Sequence, residues 1–177
     1  MHQHYFYNAA VTLPVVTGDT LFAWVFLDLM NPPSEVMLQW NNGNWEHRAY
    51  WSNSNPDTSI GWGSEGTVSR RRMGGIGTGV GEPEPGACKL LTVPVDSVTG
   101  VGLEGSTLNG MAFTLFGGRA TWDKCGKNPG GGETVWLDDR PFTASYATSG
   151  GDAWTWVASP VTSGIEAHQS NNQTPPT

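Results

Sequence analysis

The sequence between residues 39 and 51 offers the clearest opportunity for chemistry. This stretch, QWNNGNWEHRAYW, places amide, carboxylate, guanidinium and imidazole groups among three tryptophans and a tyrosine. Glutamate and glutamine accept hydrogen bonds from hydroxyl groups, arginine donates in a planar fork, and a tyrosine ring can stack on a sugar. These properties make four side chains candidates for contact with a glycan: Gln39, Glu46, Arg48 and Tyr50.

Trp62 is a fifth candidate, because it lies between Gly61 and Gly63 in a predicted loop, where an exposed indole could stack on a sugar. Each candidate also has a purely structural interpretation. The polar row would form cross-strand contacts on an exposed sheet face, each worth less than about 1 kcal/mol. Trp62 would then cap the end of a sandwich.

The dipeptide Asn42-Gly43 determines the predicted arrangement of the polar row. Asn-Gly favours a two-residue type I′ turn, in which both central residues have positive φ. Such a turn pairs Trp40 with Trp45 and Gln39 with Glu46, and alternation along each strand gives the hairpin two different faces. The apolar face then contains Val36, Leu38, Trp40, Trp45, His47, Ala49 and Trp51. The opposite face contains Glu35, Met37, Gln39, Glu46, Arg48 and Tyr50.

The carboxylates show no spacing typical of catalysis. A glycosidase needs two carboxylates about 5–10 Å apart across a cleft, whereas Glu35 and Glu46 lie far apart along the predicted hairpin. The sequence also shows no Ser-His-Asp pattern. We therefore predict a binding protein that is not an enzyme, and a glycan-active enzyme remains an alternative.

The histidines and the basic run 70–72 each allow two interpretations. His2 and His4 are two apart on a predicted strand and so share a face, as chelation of a metal would require. Hydrogen-bonded structural histidines are the favoured interpretation, and His47 on the apolar face belongs with them. The arginines favour a charged sheet edge, with contact to uronate or sulfate groups as the alternative.

Composition and charge narrow the class of protein. At 177 residues, with 37% hydrophobic and 14% charged residues, 24 Gly and 12 Pro, the chain suits a single all-β domain with many turns. A net charge of −7 argues against nucleic acid as a partner. The run LFAWVFLDLM is too short to span a bilayer, so we expect no membrane insertion. Only nine Lys and Arg, beside nine Trp, indicate a secreted, extracellular protein.

Strand-like runs must position the candidate residues. TLFAWVFLDL is apolar on both predicted faces, as expected of a strand at the centre of a covered sheet. No segment has a long 3.6-residue apolar period with caps, so little or no helix is expected. The two cysteines, Cys88 and Cys125, fit a single disulfide in an oxidising compartment. Two separately buried thiols are the alternative.

Several strings carry a family resemblance. GDTLFAWVFLD and ETVWLDD are similar to the jelly-roll carbohydrate-binding modules of secreted bacterial polysaccharide-active proteins. PPSEVMLQWNNGNWEHRAYW, GLEGSTLNGMAFTLFGGRATWD and AWTWVASPVTSGIEAHQS resemble a repeat of large extracellular bacterial proteins. The resemblance covers most of the chain, apart from about residues 64–87. It implies a jelly-roll β-sandwich of two antiparallel sheets and a binding or adhesive role.

The resemblance also implies a ligand and a metal. Glycans commonly lie on the concave face of a jelly roll, so a polysaccharide or oligosaccharide is the expected partner. LDD at 137–139 resembles the last strand of calcium-bearing jelly rolls, which makes Asp138 and Asp139 candidate ligands of structural Ca²⁺. The alternative is that these carboxylates cap a turn or bind Arg140.

The order of the strings predicts a circular permutation. In jelly-roll modules a Trp-bearing segment comes before the GDT strand, whereas here AWTWVASPVTSGIEAHQS comes last. Residues 1–142 should therefore form a sandwich lacking a strand, and residues 143–177 should add that strand to the same sandwich or to a neighbour's. Addition to a neighbour would cause self-association. A structural or adhesive repeat is therefore the alternative function.

Overall fold

The computed structural model describes residues 1–129, 132–140 and 142–174. None of these residues forms a helix, so the described part contains no helix long and apolar enough to cross a membrane. The prediction of an all-β sandwich with little or no helix is confirmed. The strands of the described residues are β1 (His2–Tyr7), β2 (Leu13–Pro14), β3 (Asp19–Leu27), β4 (Glu35–Asn41), β5 (His47–Ser52), β6 (Arg71–Gly74), β7 (Cys88–Pro94), β8 (Thr107–Leu108), β9 (Gly110–Phe116), β10 (Ala120–Pro129), β11 (Thr134–Leu137), β12 (Ser145–Ser149), β13 (Thr155–Val157) and β14 (Ala167–Gln169).

Two large sheets pack face to face. The first sheet has the order β12-β1-β9-β4-β5-β6, and the second has the order β13-β14-β10-β3-β7, with β11 also beside β10. Strands β2 and β8 form a small separate pair. Neighbouring strands are antiparallel except β5 and β6, which run parallel at the edge of the first sheet. The doubly apolar strand β3 lies between β10 and β7, as its sequence predicts.

The hydrophobic core lies between the two sheets. Alternation along β3 directs Leu21, Ala23 and Val25 inward, where they are buried. Phe113 of β9 meets Trp122 of β10 across the core, with ring centroids 5.2 Å apart. Burial of each large apolar side chain contributes about 1.5–3 kcal/mol, so this layer supplies most of the favourable free energy of folding.

The β4–β5 hairpin differs from the predicted one in its turn. Gln39 pairs with Arg48 and Trp40 with His47, so five residues, 42–46, connect the strands. The prediction of a two-residue turn with Trp40 opposite Trp45 is wrong. Asn41 Oδ1 accepts a hydrogen bond from Gly43 N at 2.8 Å, and this Asx turn competes with the type I′ geometry.

The predicted faces of β4 and β5 are nevertheless correct. The register differs from the predicted one by two residues, and a shift of two leaves each side chain on its original face. Trp40 is accordingly buried in the core, while Gln39 and Arg48 lie on the opposite side of the sheet. Trp45 and Glu46 lie in the connecting loop instead of on a strand, and Trp45 thereby leaves the apolar face.

The predicted disulfide is absent from the structure, in which Cys88 and Cys125 are both free. Cys88 pairs with Phe26 on one side of β3, and Cys125 pairs with Ala23 on the other side. The two cysteines are therefore separated by two strand spacings, about 9–10 Å, and also by three residues along β3, about 10 Å, whereas bridged cysteines have Cα atoms less than about 7 Å apart. Their register partners also point to opposite faces of β3.

The C-terminal segment, residues 143–177, contributes to both sheets of its own chain. Strand β12 pairs with β1 at the edge of the first sheet. Strands β13 and β14 pair with each other, and β14 joins the second sheet beside β10. The segment thus supplies three strands where the sequence suggested one. Pairing with a neighbouring molecule stays a prediction.

A buried histidine–aspartate cluster joins β1 to the C-terminal segment. His4 Nδ1 lies 2.9 Å from Asp152 Oδ2, and His4 Nε2 lies 2.9 Å from His168 Nδ1. His2 Nδ1 is 3.3 Å from Asp152 Oδ1. Burial lowers the pKa of His4 and that of His168. Burial opposes the ionisation of Asp152, but its contacts with His2 and His4 hold its pKa below the ordinary value.

The two ends of the described chain meet at one corner of the sandwich. His2 Nε2 is 3.2 Å from the carbonyl oxygen of Gly117. Gly118 forms an antiparallel bridge with Gln173, in which each amide donates to the other's carbonyl at 2.6 and 3.0 Å. The first strand and the end of the C-terminal segment are therefore attached to adjacent residues of the same turn.

Candidate functional site

The candidate site lies on the outer face of the first sheet, which points away from the core. Tyr5, Ala112, Gln39 and Arg48 are successive register partners across strands β1, β9, β4 and β5. The small side chain of Ala112 leaves a depression in the middle of this row. The resulting hollow of about 530 Å³ is lined by Gln3, Tyr5, Gln39, Trp45, Glu46, Arg48, Gly61, Trp62, Gly63 and Ala112.

Four of the five predicted ligand contacts line this hollow. Gln39, Glu46 and Arg48 reach it from the β4–β5 hairpin, and Trp62 reaches it from the loop beyond β5. The structure therefore brings together side chains that are more than twenty positions apart in the sequence. It does not bring in the fifth, Tyr50.

Tyr50 is fully buried, so its prediction as a ligand contact is wrong. Residues 53–70, the covering segment, lie over this end of the outer face, and Ile60 packs against Met37 and Tyr50. The Tyr50 hydroxyl donates to Glu65 at 2.8 Å. Burial and Glu65 together raise the pKa of Tyr50 to about 12. Alternation identified its face correctly, but it contained no information about the cover.

Arg48 organises the polar part of the hollow. Its Nε donates to Gln39 Oε1 at 2.9 Å, and its two terminal nitrogens donate to the Glu46 carboxylate at 3.0 and 2.9 Å. Nη1 also donates to the carbonyl oxygen of Ser69 at 3.0 Å. The hydrogen bonds from Arg48 lower the pKa of Glu46. The pair is thus a fixed, internally neutralised ion pair.

Gln39 extends this network to β1 and β9. Its Nε2 donates to Thr114 Oγ1 at 2.7 Å and to Gln3 Oε1 at 3.1 Å. Because Gln39 Oε1 accepts from Arg48, all the main hydrogen-bonding positions of this amide are occupied within the protein. Gln39 therefore holds the floor of the hollow rigid, and the groups left for a ligand lie around it.

Aromatic side chains form the walls. The rings of Tyr5 and Trp45 meet edge to face, with centroids 5.7 Å apart and planes at 81°. The Tyr5 hydroxyl and the indole nitrogens of Trp45 and Trp62 form no hydrogen bond within the described part of the chain. These polar groups and the adjoining ring faces are consequently free to contact a bound molecule.

The sequence interpretation missed Gln3, Tyr5 and Trp45. The first two were detectable, because HQHYFY alternates and places Gln3 and Tyr5 on one face of β1 and the histidines on the other. Their position beside β9 could not be deduced, since β9 is more than 100 residues away. Trp45 was missed because the wrong turn placed it in the core.

A buried charged cluster holds the covering segment in place. Arg70 donates to Glu65 at 2.9 Å and lies 3.5 Å from Glu35, with its guanidinium 4.5 Å from the Tyr50 ring centroid. Burial raises the pKa of Glu35 to about 8 despite the nearby guanidinium. Arg71 and Arg72 donate to backbone carbonyls. Arg71 and Arg72 lie in β6 at the edge of the first sheet, as the sequence favoured, and contact with uronate or sulfate groups stays a prediction.

The predicted calcium ligands have protein partners. Asp138 Oδ1 accepts from Ser163 Oγ at 2.9 Å, and Asp139 Oδ1 accepts from the amides of Ile165 and Glu166 at 2.9 and 2.8 Å. Asp139 therefore caps a turn. Among the described residues, no three His, Cys, Asp or Glu side chains converge to hold a metal.

Asp138 fits a cation better than Asp139 does. Burial raises the pKa of Asp138, and the nearby charges of Asp123 and Asp139 raise it further. Asp123 Oδ1 is buried and has no hydrogen-bond partner among the described residues. An oxygen-rich site with excess negative charge suits Ca²⁺, which would take its other ligands from carbonyl oxygens and water.

Comparison of the chain with protein-family models, with curated proteins and with solved structures finds no match. The geometry of the hollow is therefore what indicates a function.

Proposed function

We propose that this domain is a non-catalytic glycan-binding module whose ligand lies in the hollow on the outer face of the first sheet. The observation that carries the proposal is the combination of three aromatic side chains with a polar floor that is already ordered. A sugar ring has an apolar face that packs on aromatic rings and hydroxyl groups that need hydrogen-bonding partners. Tyr5, Trp45 and Trp62 provide the aromatic rings, and Gln3 and Glu46 provide the hydrogen-bonding groups.

The fixed network reduces the cost of binding. Arg48, Glu46 and Gln39 are held by one another, so a ligand would not have to order them. Ordering a side chain at an interface costs about 0.5–1.5 kcal/mol. The Glu46 side chain is 60% exposed, so its carboxylate retains room to accept from a sugar hydroxyl.

Binding without cleavage is supported by the carboxylates. Glu46 is the one carboxylate among the residues that line the hollow, and Arg48 engages both of its oxygens. Hydrolysis of a glycosidic bond needs two carboxyl groups facing each other across the bond. A glycan-active enzyme would be supported instead by oligosaccharide release that disappears in Glu46→Gln.

The secreted, extracellular location and the kinship with jelly-roll repeats are parts of the same proposal. We also include one structural Ca²⁺ held by Asp138 with Asp123. The ion would neutralise buried carboxylates and stabilise the folded chain. It would take no part in ligand contact, because these aspartates are absent from the lining of the hollow.

A glycan array probed with the isolated domain tests the main proposal. We expect binding to at least one polysaccharide or oligosaccharide class, and a loss of at least tenfold in affinity for Trp45→Ala. Trp24→Ala, which removes a half-buried indole from the second sheet, serves as the matched control and should bind normally. Equal binding by both variants would place the ligand elsewhere, and a blank array would reject the function.

A structural or adhesive repeat is the second candidate. It is favoured by one observation: the exposed edges at one side of the sandwich, β12 and β13, both come from the C-terminal segment. An edge strand offers unpaired backbone groups to another chain. Sedimentation equilibrium would reveal concentration-dependent association if these edges join molecules, and a monomer at all concentrations would reject it.

A further inference from the structure

A second hollow adjoins the first on the same sheet face. Its volume is about 400 Å³, and it is lined by Tyr5, Tyr7, Asn8, Asn41, Gly43, Trp45 and Asn109. Tyr5 and Trp45 also line the first hollow. The two hollows therefore meet at this aromatic pair and form one groove, with Trp45 at the junction.

Two small residues of β9 lie on the same sheet face as the groove, and Ala112 lines the first hollow. Gly110 lies opposite Asn41, and Ala112 lies opposite Gln39, so both occupy the outer face. A Cβ atom at position 110 would lie 2.6 Å from the carbonyl oxygen of Phe6, which excludes any larger residue there. The Asn41–Gly110 pair and the Gln39–Ala112 pair are two residues apart along the strands, about 6.8 Å. This distance is on the order of one sugar unit.

Most side-chain polar groups of the second hollow form no hydrogen bond within the described residues. Asn41 uses its Oδ1 to accept from Gly43, which leaves Nδ2 free. The side chains of Tyr7 and Asn8 form no hydrogen bond within the described residues, and Asn109 Oδ1 is buried there without a partner. The hollow is thus lined by two phenols and three carboxamides, which pair well with hydroxyl groups.

The charges exclude an acidic ligand. No charged side chain lines the second hollow. In the first hollow the single cation, Arg48, is bound by Glu46, whose carboxylate remains largely exposed. A uronate or sulfate group would therefore meet no free positive charge and would approach an exposed negative one.

We propose that the two hollows are adjacent subsites for consecutive units of a neutral oligosaccharide. Trp45 and Tyr5 contact the ligand at the junction, and Tyr7, Asn8, Asn41 and Asn109 hydrogen-bond the unit in the second subsite. This inference rests on the proposed glycan-binding function. It adds the ligand's class, neutral instead of acidic, and its minimum length of two units.

The test is calorimetric titration with oligosaccharides of one to four units. The neutral probes are cello-, xylo-, manno- and chito-oligosaccharides, and the acidic probes are oligogalacturonates. Tyr7→Phe removes only the hydroxyl, and Asn8→Gly removes the side chain at a position where glycine readily adopts the positive φ of 52° seen for Asn8. Tyr146→Phe, at the edge of the sandwich, is the matched control.

We expect affinity to rise steeply from one unit to two. Tyr7→Phe and Asn8→Gly should each weaken binding of two or more units by about 3- to 10-fold, the usual effect of one lost hydrogen bond, and leave any binding of one unit unchanged. Equal affinities for one and two units, or no effect of either variant, would overturn the second subsite while Trp45-dependent binding still supports the function. Preference for oligogalacturonates would overturn the neutral class. No binding of any probe would reject function and subsite together.

Discussion

His4 Nε2 lies 2.9 Å from His168 Nδ1, so the first strand of the chain is joined to the last through two buried imidazoles. Both pKa values are lowered from the ordinary 6.5 by burial. At these two groups the folded state therefore binds fewer protons than the unfolded state at acidic pH, so their contribution to stability is full above about pH 6.5 and is lost as the pH falls below it. The lowered pKa of Asp152 adds a further loss below its ordinary value of 3.8.

In the Glu35→Gln variant, which removes the separate titration of that buried carboxyl, we expect the melting temperature to be nearly constant from pH 8 to 7 and to fall from about pH 6.5 downward. The measurement is thermal unfolding across this range, with NMR titration of the imidazole resonances. Resonances of His4 and His168 that titrate near 6.5 in the folded protein would contradict the prediction.

Glu35→Gln should change stability in the opposite pH range. The pKa of Glu35 is raised to about 8 from 4.5, chiefly by burial. A raised pKa favours the folded state below pH 4.5, and this contribution is lost as the pH rises to 8. The variant should match the wild type at pH 5 and exceed its free energy of unfolding at pH 9 by on the order of 2–4 kcal/mol. Equal destabilisation at both pH values would mean that Glu35 is ionised and bound to Arg70.

Trp40→Ala and Trp45→Ala should differ greatly in stability. Trp40 is 1% exposed in the core, and removal of a buried tryptophan side chain costs about 3–5 kcal/mol. Trp45 lies in the connecting loop, so its removal should cost less than about 1 kcal/mol. Urea denaturation of both variants measures the difference. Similarly large losses for both variants would indicate that Trp45 is packed in the core beside Trp40.

Truncation after Phe142 should abolish the native fold. It removes three strands together with Asp152 and His168, and it leaves His2 and His4 buried without their partners. We expect loss of the dispersed amide spectrum or aggregation of the fragment. Addition of a peptide of residues 143–174 should restore the spectrum. A stable monomer of residues 1–142 alone would show that the segment is dispensable.

Calcium should stabilise the domain. Excess chelator should lower the melting temperature relative to about 1 mM CaCl₂, which is roughly the concentration at which weak extracellular sites bind calcium. Asp138→Asn should remove this difference, whereas Asp96→Asn, at an exposed turn, should preserve it. Superimposable curves with and without chelator would exclude the ion.

The sequence predicted those features of the site that depend on local alternation. Gln39 and Arg48 lie on the outer face and Trp40 lies in the core, because a register error of two residues preserves faces. The features that depend on distant segments could not be predicted. Tyr50 is covered by residues 53–70. Tyr5 lines the hollow because β1 pairs with β9, which is about a hundred residues away in the sequence. The calcium ligands and the glycan itself stay predictions.

The meeting of residues 2 and 173 at the Gly117–Gly118 turn has a mechanical consequence. A pulling force applied between these two residues would act across one corner of the domain and would leave the sandwich core unloaded. Few hydrogen bonds resist at that corner, and they would break one after another instead of sharing the load. The first rupture would therefore occur at low force and would detach residue 173 from this turn, while β12 and β14 remain paired with β1 and β10.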